Sequence, residues 1–256
     1  MTGAPILAVV SPKGGNGKTT ICANLAASMA RYSDPVVIDL DVHFGDVEYA
    51  FRLDPLYRLD DAVALVASDD DADITHVLTR HPTGVSALCA PSDPVAADRL
   101  DVDAVNRVVD YFIGLGRPVL LDTAGGISEF TLAAMDRATD YVIVCGTDVP
   151  SVQAARKLID TMSRLGMDLT RIHLVINRST SRSGLTPEYV EQAVGLRASL
   201  AVPEHMSLTA GMNQGCPVTE SDPRSAIGQT FDRFVRTMIE VPDTDTLADR
   251  LRKLLP

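Results

Sequence analysis

The chain has 256 residues, enough for one large α/β domain or two small ones, and 46% of them are hydrophobic, ample for a core. Its formal net charge of -11 counts against non-specific DNA binding, which needs clustered Lys and Arg to displace counterions. With no Trp and only 5% aromatic residues, the core has to be Val, Leu, Ile and Ala, which suits a parallel sheet buried on both faces. Cys22, Cys89, Cys145 and Cys216 form no C-x-x-C pair, so a disulfide framework is not expected, and a reduced, cytoplasmic protein is. The first ten residues lack the basic start of a signal peptide, and no apolar run approaches the roughly 20 residues of a spanning helix.

Ile6-Leu7-Ala8-Val9-Val10 predicts a buried strand, and residues 21–30 predict a helix. Between them stands Lys13-Gly14-Gly15-Asn16-Gly17-Lys18-Thr19-Thr20. Strand, glycine loop and helix form the context a phosphate-binding loop needs, because glycines let backbone N–H groups turn inward around a phosphate. The helix N-terminus adds unpaired donors. Residues 14–20 would cradle the phosphates, with the Lys18 side chain on the β- and γ-phosphates and the Thr19 hydroxyl on Mg²⁺. The usual G-x-x-x-x-G-K-[ST] pattern is not met in full: its first glycine falls on Pro12, and a second lysine, Lys13, stands beside it.

Residues 35–41 predict a second strand ending in Asp39 and Asp41, at the sheet edge where α/β proteins bind ligands. One carboxylate can sit behind Mg²⁺ and the other can orient an attacking water. His43 has no second His or Cys nearby and reads as a surface loop residue. Residues 59–63 open a helix. The acidic run 68–73 lacks the glycine and the glutamate of a calcium loop and reads as a solvated cap for a helix beginning near Ile74. Residues 85–90 predict a strand and residues 102–115 a helix. Residues 118–126 then repeat the strand-plus-acid pattern, where Asp122 can bind Mg²⁺ through water and the Gly125 N–H can sense the γ-phosphate. Further elements are a helix at 128–138, a strand at 141–145, a helix opening at Asp148-Val149-Pro150-Ser151, a strand at 171–178 and a helix at 187–194. A last strand at 200–204, a helix ending with Gly215 in the left-handed position and a closing helix at 226–239 complete the domain. No guanine-reading Asp follows Asn177-Arg178, which favours ATP over GTP. In the final stretch, Leu247, Leu251, Leu254 and Leu255 share a helical face beside Arg250, Arg252 and Lys253.

K-G-G-x-G-K-T-T at residues 13–20 resembles the signature of the deviant Walker A ATPases of the MinD/ParA family, and the resemblance runs from residue 6 to about residue 239. It implies one doubly wound α/β domain of the SIMIBI-type P-loop NTPase class, a single mostly parallel sheet of about seven strands with helices on both faces. The implied boundaries are 1–242 for the ATPase domain and 243–256 for a short amphipathic tail. The implied mechanism is ATP- and Mg²⁺-dependent homodimerisation followed by slow hydrolysis. Lys13 would cross to the partner's nucleotide, Asp39 would stand near Mg²⁺, Asp41 would orient water, and Asn177 and Pro203 would contact adenine. Phe44-Gly45-Asp46 and Leu59-Asp60-Asp61-Ala62-Val63 look most like the CpaE/TadZ branch, which places pilus-assembly machinery. Such proteins often carry an N-terminal receiver-like domain, which is not expected here, so the chain would be a short form or a fragment. The implied partners are a protein of a polar or secretion machine and, through the tail, weak contact with the inner face of the cell membrane. The family pattern D-x-P-x-G is broken by Ala124, which leaves the second switch less constrained. The competing classes are a MinD-like division-site or ParA-like partitioning ATPase and a ligase of the dethiobiotin-synthetase type. A nitrogenase-type electron carrier lacks its cysteine contexts here, and a bacterial tyrosine kinase lacks its tyrosine cluster, since no Tyr follows Tyr189.

Overall fold

The computed structural model describes residues 3–69, 72–181 and 184–239. In chain order the elements are β1 (Ile6–Ser11), α1 (Lys18–Met29), β2 (Val36–Leu40), α2 (Val47–Ala50), α3 (Leu59–Ser68), β3 (Thr79–Arg80), β4 (Ser86–Leu88), α4 (Pro94–Ala97), α5 (Val102–Gly114), β5 (Val119–Gly125), α6 (Glu129–Arg137), β6 (Asp140–Cys145), α7 (Val149–Arg164), β7 (Ile172–Asn177), α8 (Pro187–Val194), β8 (Ala198–Val202), α9 (Met206–Gln214), α10 (Val218–Ser221) and α11 (Ala226–Met238). The strands form one sheet of eight in the order β3-β4-β2-β5-β1-β6-β7-β8, and every pairing is parallel except β3 with β4.

Alternation along each strand divides the core between two faces. Ala8, Val10, Ile38 and Leu121 pack with Leu59, Val105, Phe112, Val152 and Val190, so α3, α5, α7 and α8 cover one face. Leu7, Val9, Val37 and Leu120 pack with Ile21, Leu25, Phe231 and Val235, so α1 and α11 cover the other. This parity places Asp39, two residues past Val37, and Asp122, two past Leu120, on the face under α1. The β2–β5 register sets the two carboxylates side by side, Asp39 opposite Asp122. β1 lies between β5 and β6, so the chain leaves it towards β2 on one side and returns to β6 on the other. In a doubly wound sheet, that reversal opens a crevice at the carboxyl ends of the strands.

Two expectations need correction. The eighth strand is β3, an antiparallel edge of two residues too short to leave a pattern. The helix expected from Ile74 is only a 3-10 turn at Thr75–Val77. Asp73 caps the start of that turn, its Oδ1 accepting the Thr75 N–H at 2.9 Å and the Thr75 hydroxyl at 2.6 Å, and the chain is already extended at Leu78. The chain then turns at His81-Pro82-Thr83-Gly84, where the His81 N–H donates to the Val85 carbonyl at 2.8 Å and the Gly84 N–H donates back to His81 at 3.0 Å. The residue before a proline avoids helical geometry, so the segment goes extended into β3. The helix end at Gly215 is as expected, with φ 64. The tail expected at 243–256 lies outside the described residues.

Candidate nucleotide site

The loop between β1 and α1 curls over the carboxyl ends of β1 and β5. Gly15 and Gly17 have φ 81 and 87, the left-handed region open to glycine. Gly125 at the end of β5 touches the loop: a Cβ there would stand 2.8 Å from Gly14 Cα, so only a bare backbone fits. The Gly126 N–H closes the contact by donating to the Ser11 carbonyl at 2.9 Å. β5 runs on through Ala124 to this point, a continuation that a proline at 124 would disfavour.

The two lysines part company. Lys18, in the first turn of α1, is 7% exposed. Lys13 stands outside, 47% exposed, with its Nζ 3.1 Å from Asp148 Oδ1. Beneath the loop, Asp122 is fully buried and neither carboxylate oxygen has a hydrogen-bond partner among the described residues. Burial pushes its pKa up to about 7, while the Thr19 hydroxyl and Lys18 nearby pull it down and Asp41 pushes it up. Asp39 is also raised, by burial first and then by Asp122; it accepts the Val47 N–H and the Asp41 N–H, both at 3.1 Å. Gly45 lets Asp39 fit, because a side chain at 45 would strike the Asp39 carboxylate and Ala90. Asp41 follows the end of β2, half-buried.

Two buried carboxylate oxygens that make no close hydrogen bond, beside the Thr19 hydroxyl, leave lone pairs free. A divalent cation held jointly with phosphate oxygens fits that deficit. No group of three His, Cys, Asp or Glu among the described residues could hold a metal by itself.

A cleft of about 300 Å³ continues from the loop, lined by Gly17, Thr20, Asn177, Pro203, Glu204 and Leu208 among others. The Asn177 Nδ2 donates to the Asn16 carbonyl at 2.8 Å and its Oδ1 accepts the Arg178 N–H at 2.9 Å. Asn177 therefore grips the loop from below as well as lining the cleft, which the sequence did not suggest.

The family described as the CobQ/CobB/MinD/ParA nucleotide binding domain matches residues 7–218. The chain belongs to that family. Among family relatives, an ATP-binding protein of Methanocaldococcus jannaschii is 28% identical over 237 residues, which cover 91% of this chain and 87% of the relative. A ParA family ATPase from Chlorobium tepidum superposes with a TM-score of 0.82 at 18% identity, covering 91% of this chain and 98% of that one. The septum site-determining protein MinD of Pyrococcus horikoshii, solved with Mg-ADP, gives 0.79 at 20% identity, covering 93% and 96%. These likenesses establish the P-loop fold with its mostly parallel sheet.

One arrangement that matters here was not visible in the sequence. Ser11, Asn16 and Ser151, each in a string the sequence singles out, form a buried polar cluster behind the loop. A D-x-x-S string at 148–151 was visible, but nothing in it announced a partner for Lys13, 135 positions away. His43 is a loop residue whose Nε2 lies 2.9 Å from Asp98 Oδ1. The four cysteines are free.

Proposed function

We propose that this chain is an ATP-dependent dimerising switch that binds Mg-ATP, pairs face to face with a second copy and separates after slow hydrolysis. The observation that carries the proposal is the contrast between two lysines on one loop. Lys18 is buried near Asp122, whereas Lys13 is exposed and pairs with Asp148 at the surface. A lysine on the outer side of the loop is placed to neutralise charge in a neighbour's site, as an arginine finger does in trans.

The remaining roles are those the family resemblance implies, and the positions of the residues are compatible with them. Backbone N–H groups of residues 14–20 would hold the phosphates, and Lys18 their β- and γ-oxygens. Thr19, Asp122 and Asp39 would hold the Mg²⁺, which supplies neutralisation of charge developing on the transferred phosphoryl group. Asp41, half-exposed above Asp39, would orient water towards that group. Gly125, packed on Gly14, would register the γ-phosphate. Asn177 and Pro203 would border the adenine. The domain would span 1–242, with 243–256 as a tail able to touch a membrane surface weakly; no helix among the described residues is long and apolar enough to cross one. Phe44, Tyr49 and Leu56 are exposed apolar side chains on the segment after Asp41, where a partner could read the switch.

The machine served is proposed as a pilus or secretion apparatus of the CpaE/TadZ kind, on the Phe44-Gly45-Asp46 and Leu59–Val63 strings. A MinD-like division-site role or a ParA-like partitioning role is equally consistent with the relatives. The work would be done in the cytoplasm or at the inner face of the membrane. Paired alanine variants test the division of labour. Lys18→Ala should lose ATP binding on the order of 100-fold. Lys13→Ala should keep ATP binding within about twofold but fail to dimerise, because its loss is felt only in trans. Equal loss of ATP binding in both variants would contradict the proposal.

A further inference from the structure

We propose that Asn24 and Thr219 are positioning residues that set the distance between the phosphate loop and the wall of the base cleft, so that one nucleotide is held at both ends. The proposal rests on the reading of this site as a nucleotide site. It goes further by assigning the spacing to a buried pair behind the cleft.

Asn24, in the second turn of α1, is 1% exposed, and its neighbours Cys22, Ala23, Leu25 and Ala26 are buried with it. An amide inside a buried helix is a poorer choice than Ala or Leu, in helix propensity and in desolvation, unless its polar atoms find partners. Two elements supply them. The Asn24 Nδ2 donates to the Thr20 carbonyl at 2.8 Å, in the first turn of the same helix. Its Oδ1 accepts the Thr219 N–H of α10 at 3.2 Å. The buried Thr219 hydroxyl donates to the Asn24 backbone carbonyl at 3.0 Å and lies 3.3 Å from the same Oδ1. The two residues therefore meet through both backbone and side chain.

The ends of this bridge lead to opposite ends of the proposed nucleotide. Thr20 follows Lys18 and Thr19 in the turn that would take the phosphates. At the other end, α10 is folded back on α9. The Cys216 N–H donates to the Gly211 carbonyl at 2.9 Å, and a Cβ at Gly211 would stand 2.7 Å from the Cys216 carbonyl oxygen, so a bare backbone is needed there. α9 in turn gives Leu208, Thr209, Met212 and Asn213 to the cleft wall. Around the bridge, Val218 packs with Ile21 and Leu25. Apolar contacts of that kind tolerate a slide of one helix along another, whereas directional hydrogen bonds do not. The Asn24–Thr219 bridge thus fixes where the α9 wall stands relative to the first turn of α1. A ligand that touches only the loop is indifferent to that distance. A ligand that spans loop and cleft binds less well for any error in it.

Isothermal titration of the full chain with ADP-Mg and with pyrophosphate-Mg separates the two kinds of ligand, since pyrophosphate lacks the base. Thr219→Val removes the hydroxyl at nearly constant shape and should weaken ADP about fivefold, the loss of one net hydrogen bond. Asn24→Ala removes the bridge from the other side and should weaken ADP about tenfold. Pyrophosphate affinity should stay within about twofold of wild type in both, because it makes no contact that the bridge places. Thr219→Ser keeps the hydroxyl and should bind ADP within about twofold of wild type. A purely structural role would move both ligands together or neither. Equal losses of ADP and pyrophosphate in Thr219→Val, or undiminished ADP affinity in both Thr219→Val and Asn24→Ala, would overturn the positioning role. A wild-type chain that binds ADP no tighter than pyrophosphate would overturn it too, since no ligand would then span loop and cleft. If the wild-type chain binds neither, the nucleotide-site reading itself fails and takes this proposal with it.

Discussion

Asp122→Asn is expected to stabilise the ligand-free protein and to end its ATP hydrolysis. Asp122 is fully buried with both oxygens unpartnered, an arrangement that costs folding free energy in the absence of a cation. Its pKa is about 7 against an ordinary 3.8. The folded chain therefore holds a proton that the unfolded chain releases between about pH 4 and pH 7. Stability from this group falls as pH rises through that window and is lowest above it. Ionising a buried, unpaired carboxylate costs on the order of a few kcal/mol once the site relaxes. An uncharged amide of the same shape removes the penalty. At pH 8, without nucleotide or Mg²⁺, the variant should melt about 5–10 °C above wild type. Its melting temperature should also fall less between pH 5 and 8, the residual slope coming from Asp39 beside it. ATPase activity should drop on the order of 100-fold or more, because an amide is a poor anchor for a hard cation. Calorimetry across pH with a phosphate-release assay checks both halves. A variant less stable than wild type at pH 8 would contradict the account of Asp122.

Gly17→Ala should remove ATP binding with a smaller loss of stability. Gly17 has φ 87, where a Cβ costs about 1–2 kcal/mol, and that Cβ would strike the Asn177 amide. Asn177 would have to release the Asn16 carbonyl, and the loop would lose the hold that aims its N–H groups at a phosphate. ATP affinity should fall on the order of 100-fold, since several aligned donors are lost together. The melting temperature should fall by only about 3–6 °C. Gly14→Ala is the control: nothing stands within 4 Å of its added Cβ and its φ is not positive. It should melt within about 1 °C of wild type, because no clash and no strain follow. Isothermal titration with ATP-Mg beside thermal melts separates the two variants. Gly17→Ala binding ATP as wild type does would contradict the loop geometry.

Most of the fold was legible because strand and helix periods differ and the apolar runs are long. α8 was expected at residues 187–194 and is found at Pro187–Val194, with Thr186 capping its start and left-handed Gly195 ending it. The sheet's eighth strand was not legible, since two residues at an edge carry no alternation. The turn at Thr75–Val77 was misjudged because an Asp before a helix and an Asp closing its own local turn look alike until the next proline is weighed. At the site, residues that act within the loop were visible as a string. The partners of Lys13 and Asn177 were not, because the sheet order, and no local pattern, carries β6 and β7 to the loop. The consequence of Asp39 and Asp122 sharing a face was hidden for the same reason: it depends on the β2–β5 register.

Solution mass by light scattering, on wild type and Asp41→Ala with no nucleotide, with ADP-Mg and with ATP-Mg, decides whether ATP drives pairing. A monomer is expected alone and in ADP-Mg, a dimer in ATP-Mg that decays in wild type as ATP is consumed, and a dimer that persists in Asp41→Ala. A mass indifferent to nucleotide in both proteins would contradict ATP-driven pairing, and would leave Lys13 without a site to reach.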